Sequence, residues 1–256
     1  MATYKQYVMA QTLEEAHTLN QKRSSVIVAG NMWLRMCGLK KQTAIDLSAL
    51  GLDGIEETDD AFVIGAMTPL RALETHAGLN RETGGAFARA LAPIVGTQFR
   101  NTATVGGSVY SRFGFSDVSA LLLALDAEVV CYRAGTVKLA DYQAQPWDRD
   151  ILTHVRVPRG RRAAVQSVRA AATDIPLLVC TAAQMEEGLR IVLGARPARA
   201  VIAADSVPLD ADAAVFARIA QQTAFGSNRR ASEAYRRAVA PVLMARAAQA
   251  VREGNA

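Results

Sequence analysis

Cysteine, histidine and aromatic side chains are scarce in this chain, and each scarcity removes a class of function. Three cysteines, Cys37, Cys131 and Cys180, lie far apart among 256 residues and match no metal or redox spacing. An iron–sulfur cluster needs closely placed thiolates, so none is expected here. Free cysteine is among the most buried residue types, and core packing is the reading for all three. The histidines, His17, His76 and His154, are equally scattered and offer no zinc set. No G-x-G-x-x-G lies at a strand-to-helix turn with an acid about 20 residues on, and no P-loop is present. No apolar run approaches the roughly 20 residues of a membrane span. The opening MATYKQYVMAQTLEEAH meets polar and acidic residues too soon for a secretory segment, so a cytoplasmic address is expected.

What is present describes a folded protein. Half the residues are apolar (50%) and the mean hydropathy is +0.09, which favours one large or two modest globular domains. The net charge is +5 and the pI about 9.3. Arginines gather at Arg156, Arg159, Arg161, Arg162 and Arg169. They read either as a solvated strand edge and turn or as a docking face for an acidic partner or anionic cofactor. Nucleic acid is disfavoured, because no aromatics are interleaved with them.

Two loops carry the chemistry. The stretch Arg100 to Asp117, RNTATVGGSVYSRFGFSD, sets adjacent glycines between β-branched residues and ends on a Ser-Asp pair. Gly106-Gly107 permits close backbone approach, and successive amides in such a turn cradle a phosphate. Asp117 offers a carboxylate to sugar hydroxyls or an amino group, and Arg112 a cation to a pyrophosphate. Val26 to Leu34, VIVAGNMWL, makes a similar offer after a short apolar strand, with Asn31 adding a side-chain donor. Together they suggest one dinucleotide held between two loops. Neither loop contains a histidine or cysteine, so a covalent flavin link is not supported.

The periodicity predicts helices at Leu13–Lys22, Thr68-Pro69 to Thr75, Gly85–Ala92 and Val118–Leu125. It predicts strands at Ser25–Val28, Thr43–Leu47, Ile55–Glu57, Phe62–Ala66 and Glu128–Tyr132, with a long functional loop from Gly96 to Asp117. After about Arg161 three strands (Ala163–Ala170, Leu177–Ala182, Leu189–Leu193) precede helices at Asp210–Thr223 and Ser232–Val251. A kink is expected at Pro241. Mixed elements without a βαβ rhythm give an α+β class. The division expected is residues 1–160 and a smaller α+β domain with a three-stranded antiparallel sheet, residues 161–256.

These residues resemble the FAD-binding (medium) subunit of the xanthine dehydrogenase and carbon monoxide dehydrogenase family of molybdenum hydroxylases. Ala29-Gly30-Asn31-Met32 stands for its A-G-G-T-like loop, and Thr104-Val105-Gly106-Gly107-Ser108 with Ser116-Asp117 for its T-x-G-G-N…S-D loop. Leu121 to Val129 (LLLALDAEV) and Arg230 to Ala247 (RASEAYRRAVAPVLMARA) continue the likeness, the latter near the S-x-x-Y-R-R helix. Met32 replaces a frequent threonine and Ser108 the usual asparagine. No lysine occurs in Val165 to Pro176, where Gln166 or Arg169 stands in.

The resemblance implies a two-part FAD-binding domain of the molybdopterin dehydrogenase type, followed by the C-terminal α+β domain. It implies non-covalent FAD held by Ile27, Val28, Ala29, Gly30, Asn31, Met32, Trp33, Leu34, Ala103, Thr104, Gly106, Gly107, Ser108, Ser111, Ser116 and Asp117. Neither a catalytic side chain nor a metal is assigned to this chain. A molybdopterin-binding large subunit and a [2Fe-2S] small subunit are the implied partners. The implied role is that of an oxidoreductase flavoprotein of the xanthine or purine dehydrogenase kind, passing electrons from the clusters through FAD to NAD+ or another acceptor. A flavin-less assembly subunit and a stand-alone flavoprotein reductase are the alternatives.

Overall fold

A computed structural model describes residues 1–254. In chain order the elements are β1 (Thr3–Met9), α1 (Leu13–Asn20), β2 (Ser25–Val28), β3 (Lys40–Asp46), β4 (Ile55–Glu57), β5 (Ala61–Gly65), α2 (Leu70–Thr75), α3 (Ala77–Thr83), α4 (Ala86–Leu91), α5 (Thr97–Arg100), α6 (Val105–Tyr110) and α7 (Asp117–Ala124). They continue with β6 (Glu128–Cys131), β7 (Gly135–Lys138), α8 (Leu139–Ala144), β8 (Leu152–Pro158), β9 (Ala163–Val168), β10 (Leu178–Met185), β11 (Gly188–Gly194), β12 (Val201–Val207), α9 (Ala213–Gln222) and α10 (Glu233–Glu253).

Three sheets form. The first is parallel, in the order β1-β3-β2, with Val26 opposite Ala44 and Tyr7 also opposite Ala44 across the shared strand. Helix α1 packs on it over Ala16, Ile45 and Leu47, starting at Thr12, whose hydroxyl accepts from the Glu15 amide. The second sheet is antiparallel, β4-β5-β8-β6-β7, and the third is antiparallel, β12-β11-β10-β9. The α+β class holds. The third sheet has four strands rather than three, because Val201–Val207 is an edge strand. It is largely half-exposed, and its pairing with β11 is irregular, so it carries no clean apolar alternation.

Period-two alternation in β10 feeds two cores. Val179 and Ala183 join the large cluster built on α4, α7 and the second sheet, whereas Leu178, Cys180 and Ala182 face Phe216, Met244 and Ala247 of α9 and α10. The third sheet is thus covered on both faces. Helix α7 is buried at all eight residues, as an apolar-all-round helix must be.

Several expectations are corrected. Gly96–Asp117 is not one irregular loop but contains α5 and α6, the latter begun by Thr104 as N-cap. β1 escaped notice because it is an exposed edge strand, with Tyr7 and Met9 open to solvent. Arg156 stands on β8, a central strand, not an edge. Four of the five clustered arginines spend their charge internally, and Arg162 is exposed. Arg156 pairs with Asp60 and Glu128, Arg159 with Glu57 and Glu82, Arg161 with Asp126, and Arg169 with Asp117. That leaves little for a docking face. Pro69, not Thr68, is the N-cap of α2, and the Thr68 hydroxyl donates to Gly54 O instead. Helix α10 runs on through Pro241 without a break. Burial pushes the Cys131 thiol up to about 12 and raises that of Cys180, so both are inert core residues. Cys37, by contrast, is exposed.

Arg236 is the most buried cation, only 1% exposed, and it has no carboxylate partner among the described residues. It donates to the carbonyls of Leu177, Ala195, Gly226 and Ala231 and to Asn228 Oδ1 at 2.6–3.1 Å. Its removal orphans several buried acceptors at once. Arg236→Ala should cost about 3 kcal/mol or more, read as a lower urea midpoint, with Arg236→Lys recovering only part because it lacks the planar fork.

Candidate functional site

A cleft of about 920 Å3 opens between the first sheet, the second loop and the segment after β9. That volume suits a large organic ligand. Of the sixteen residues the sequence nominates, Ile27, Ala29 to Leu34, Ala103, Thr104, Gly106, Gly107, Ser108, Ser111, Ser116 and Asp117 form its walls. Val28 does not. It is the buried end of β2.

The two loops differ in what they leave free. The amides of Gly30, Asn31, Met32 and Trp33 have no acceptor among the described residues. Asn31 sits at φ +53°, so the chain turns through a left-handed residue where successive N–H groups converge, the geometry of an anion cradle. Asn31 Oδ1 accepts from the Tyr4 hydroxyl at 3.4 Å, which leaves its amide nitrogen as a donor.

The second loop is closed. Val105 N donates to Thr68 O, Gly106 N to Ala66 O, Gly107 N to Thr104 Oγ1 and Ser108 N to Thr104 O, at 2.9–3.1 Å. Ser108 Oγ and Ser111 Oγ also donate inward, to Thr104 O and Ser108 O. This loop therefore offers surface and hydroxyl oxygens rather than a row of amides.

Its glycines serve packing between backbones. A Cβ on Gly106 would lie 2.6 Å from Ala66 O, and one on Gly30 would collide with Thr102 O. The first loop is thus pressed against the start of the second.

Asp117 and Arg169 form a buried pair at one end of the cleft, with Arg169 Nη2 2.5 Å from Asp117 Oδ1. The carboxylate expected to face a ligand is engaged by its own chain. Burial lifts the Asp117 carboxyl to about 6, against the pull of the Arg169 guanidinium. Arg169 also donates to Asp174 O, and the Asp174 carboxylate pairs with Arg230, so two arginines hold the segment Thr173–Pro176 on the cleft wall at Asp174.

Arg112 is not placed for a pyrophosphate. At φ +50° it turns away from the cleft, with its guanidinium 4.4 Å from the Tyr142 ring and 4.9 Å from the Trp147 ring, donating to Gln145 O. It anchors the link before β8. Trp33 packs edge-on against Phe99 and Phe115, and Phe113 stacks on Phe115, giving one wall an aromatic lining.

Sequence reasoning missed Arg23, Lys41 and Arg149 on the cleft wall. Arg149 left no local signal, since it reaches back 129 residues to donate to Asn20 O. The other two were visible as part of a run without acids, residues 16–45, which holds Lys22, Arg23, Arg35, Lys40 and Lys41 and no Asp or Glu.

An α+β chain with an unpartnered amide cradle, an aromatic wall and cations at the rim has the donors and apolar surface that a nucleotide site needs. Residues 2–160 match the family model described as the FAD binding domain in molybdopterin dehydrogenase, and the chain belongs to that family. FAD is accordingly its cofactor, and the residues present fit it: the free amides suit a pyrophosphate and the aromatic wall a flat ring system. The protein is a flavin component of an oxidoreductase. It is 29% identical over 208 residues to the uncharacterized protein YgfM of Escherichia coli strain K12, covering 80% of this chain and 78% of that one. Its fold matches carbon monoxide dehydrogenase from Hydrogenophaga pseudoflava lacking the Mo-pyranopterin moiety (TM-score 0.88, 21% identity, all of both chains). It also matches quinoline 2-oxidoreductase from Pseudomonas putida 86 (TM-score 0.86, 19% identity, 98% of both chains).

Gly30→Val should abolish FAD retention, because the added carbons meet main chain that has nowhere to move, whereas Gly107→Ala should retain FAD. Flavin content per purified chain reads both. The raised Asp117 carboxyl also sets a pH dependence. Between about 4 and 6 the folded chain holds a proton that the unfolded chain has lost, so this group makes stability fall as pH rises through that window. Asp117→Asn should flatten that part of the profile, and urea midpoints at both ends of the window test it. An unchanged slope would assign the titration elsewhere.

Proposed function

We propose that this chain is the flavin subunit of a molybdenum hydroxylase complex of the xanthine or purine dehydrogenase kind. It takes electrons from [2Fe-2S] clusters on a partner subunit and passes them to NAD+ or another acceptor. The observation that carries the reading is the open amide cradle at Gly30 to Trp33 in a cleft of dinucleotide size. The family match and the chain-long likeness to two molybdenum-hydroxylase-type folds support it.

When bound, FAD supplies the redox chemistry, accepting and releasing electrons. The chain's own residues bind and shield. The amides of Gly30, Asn31, Met32 and Trp33, with Asn31 Nδ2 beside them, would hold the phosphates. Trp33, Phe113 and Phe115 would shield a flat ring from water. Ala103, Thr104 and the Gly106–Ser108 turn form the facing wall, and the Asp117–Arg169 pair presents guanidinium N–H groups instead of a bare carboxylate. In this reading residues 1–160 hold most of the cofactor. Residues 161–256 close one end through Arg169 and Thr173–Pro176.

A second reading, a flavin-less assembly subunit, draws on the closed second loop and the engaged Asp117. One measurement separates the two. The purified chain should show flavin absorption bands and release FAD near one per chain. A colourless chain that stays colourless with added FAD supports the assembly subunit.

A further inference from the structure

The five cations of residues 16–45 equal the entire +5 surplus of the chain, so the remaining residues are charge-balanced. The segment is the one that wraps the open cradle, entering it through β2 and leaving it toward β3. Lys22, Arg23, Arg35 and Lys40 are exposed, and none of the five forms an ion pair among the described residues. Arg23 and Lys41 line the cleft itself, as do Leu34 and Cys37 on either side of Arg35. Lys22, Arg35 and Lys40 are each the immediate chain neighbour of a wall residue, about 3.8 Å away at Cα, well inside a Debye length of about 10 Å at 0.1 M salt.

We infer that this acid-free segment is an electrostatic guide that draws a dianionic dinucleotide into the cleft. It acts on the rate of cofactor loading rather than on the strength of holding. The inference rests on the FAD reading above and adds to it residues that touch no ligand. The cleft lining also holds Asp117, Asp148 and Asp174, the first and last paired with Arg169 and Arg230, so the unpaired cations of this segment give the rim its excess positive charge. Such an excess beside a low-dielectric cleft raises association rates, here for the pyrophosphate that the uncharged amides then receive. An acidic protein would be the other fitting occupant of such a patch. The cleft-lining positions of Arg23 and Lys41 favour the small anion.

The test uses Lys22→Gln, Arg35→Gln and Lys40→Gln combined, all exposed side chains outside the cleft wall. The control combines Arg218→Gln, Arg246→Gln and Arg252→Gln, exposed residues of α9 and α10 that remove the same charge elsewhere. FAD association and dissociation with the flavin-stripped chain are followed by flavin fluorescence across a range of salt. The native chain should load FAD more slowly as salt rises. The patch variant should load roughly tenfold more slowly at low salt, with the gap closing at high salt. Its dissociation rate should be unchanged, and the control should behave as the native chain. Patch and control variants with equal association rates would overturn the inference, including the case where only the patch variant loses a protein partner. A patch effect confined to dissociation would overturn it too, by making these side chains ligand contacts. A native chain that takes up no FAD at all would overturn the function reading and this inference together, whereas the first two outcomes leave the function reading standing.

Discussion

Burial of α7 is the constraint on which the rest of the architecture depends. Its sequence, DVSALLLA, has no polar face to show to water, so β10, β11 and α4 must enclose it. That enclosure welds the second sheet and the third into one continuous core, in which Phe62 and Val155 of one share a cluster with Val179 and Val192 of the other. It also fixes what happens at the helix's first turn. Ser116 caps it, and Asp117, the next residue, lies at the positive end of the helix dipole at the edge of the cleft. A carboxylate held there among apolar neighbours would be costly alone. Arg169 answers it from β9's end, so the same pair that satisfies the helix terminus also shapes the cleft.

The two glycine loops are alike on paper and unlike in space. Each glycine that matters is needed because one backbone presses on another: Gly30 on Thr102 and Ala103, Gly106 on Ala66. Closing these contacts uses up the amides of the second loop and strands those of the first. The strained φ of Asn31 is then the local cost of leaving four donors turned toward the opening. A ligand bearing two adjacent negative charges compensates what the fold leaves unsatisfied there.

Much of this was legible. β2, β4 and α7 stand where apolar pattern and capping residues put them, and the cleft gathers nearly all the nominated residues, because loops flanking short buried strands converge at strand ends. What was not legible has physical reasons. β1 and β12 are edge strands whose side chains need no alternation. Val28 was nominated with its neighbours, although it is buried at the end of β2 and does not line the cleft. Arg112 was read as a ligand contact from its charge and Asp117 from the Ser-Asp pair after the glycines, yet one is sandwiched by Tyr142 and Trp147 and the other is paired with Arg169, partners 30 or more residues away. Long-range pairing of this kind leaves no trace in local spacing.

The C-terminal motif shows how a distant element reaches the cleft. Arg236 binds carbonyls from three separate connections, and each leads to the site or to its walls. Leu177 follows Ile175 and Pro176, which line the opening. Ala195 N donates to Gly114 O, between the lining rings Phe113 and Phe115, and Gly114 needs to be glycine because Ala198 O lies against it. Gly226 closes against Arg196 O, the next residue of the same connection. A guanidinium suits this position because its planar fork satisfies carbonyls in several directions, which neither an ammonium nor an apolar side chain does. The tyrosine-arginine-arginine segment therefore makes no contact with the cofactor cleft. It braces the loops of the third sheet, and through Leu177 and Ala195 that brace supports the parts of the cleft wall formed by Ile175, Pro176, Phe113 and Phe115.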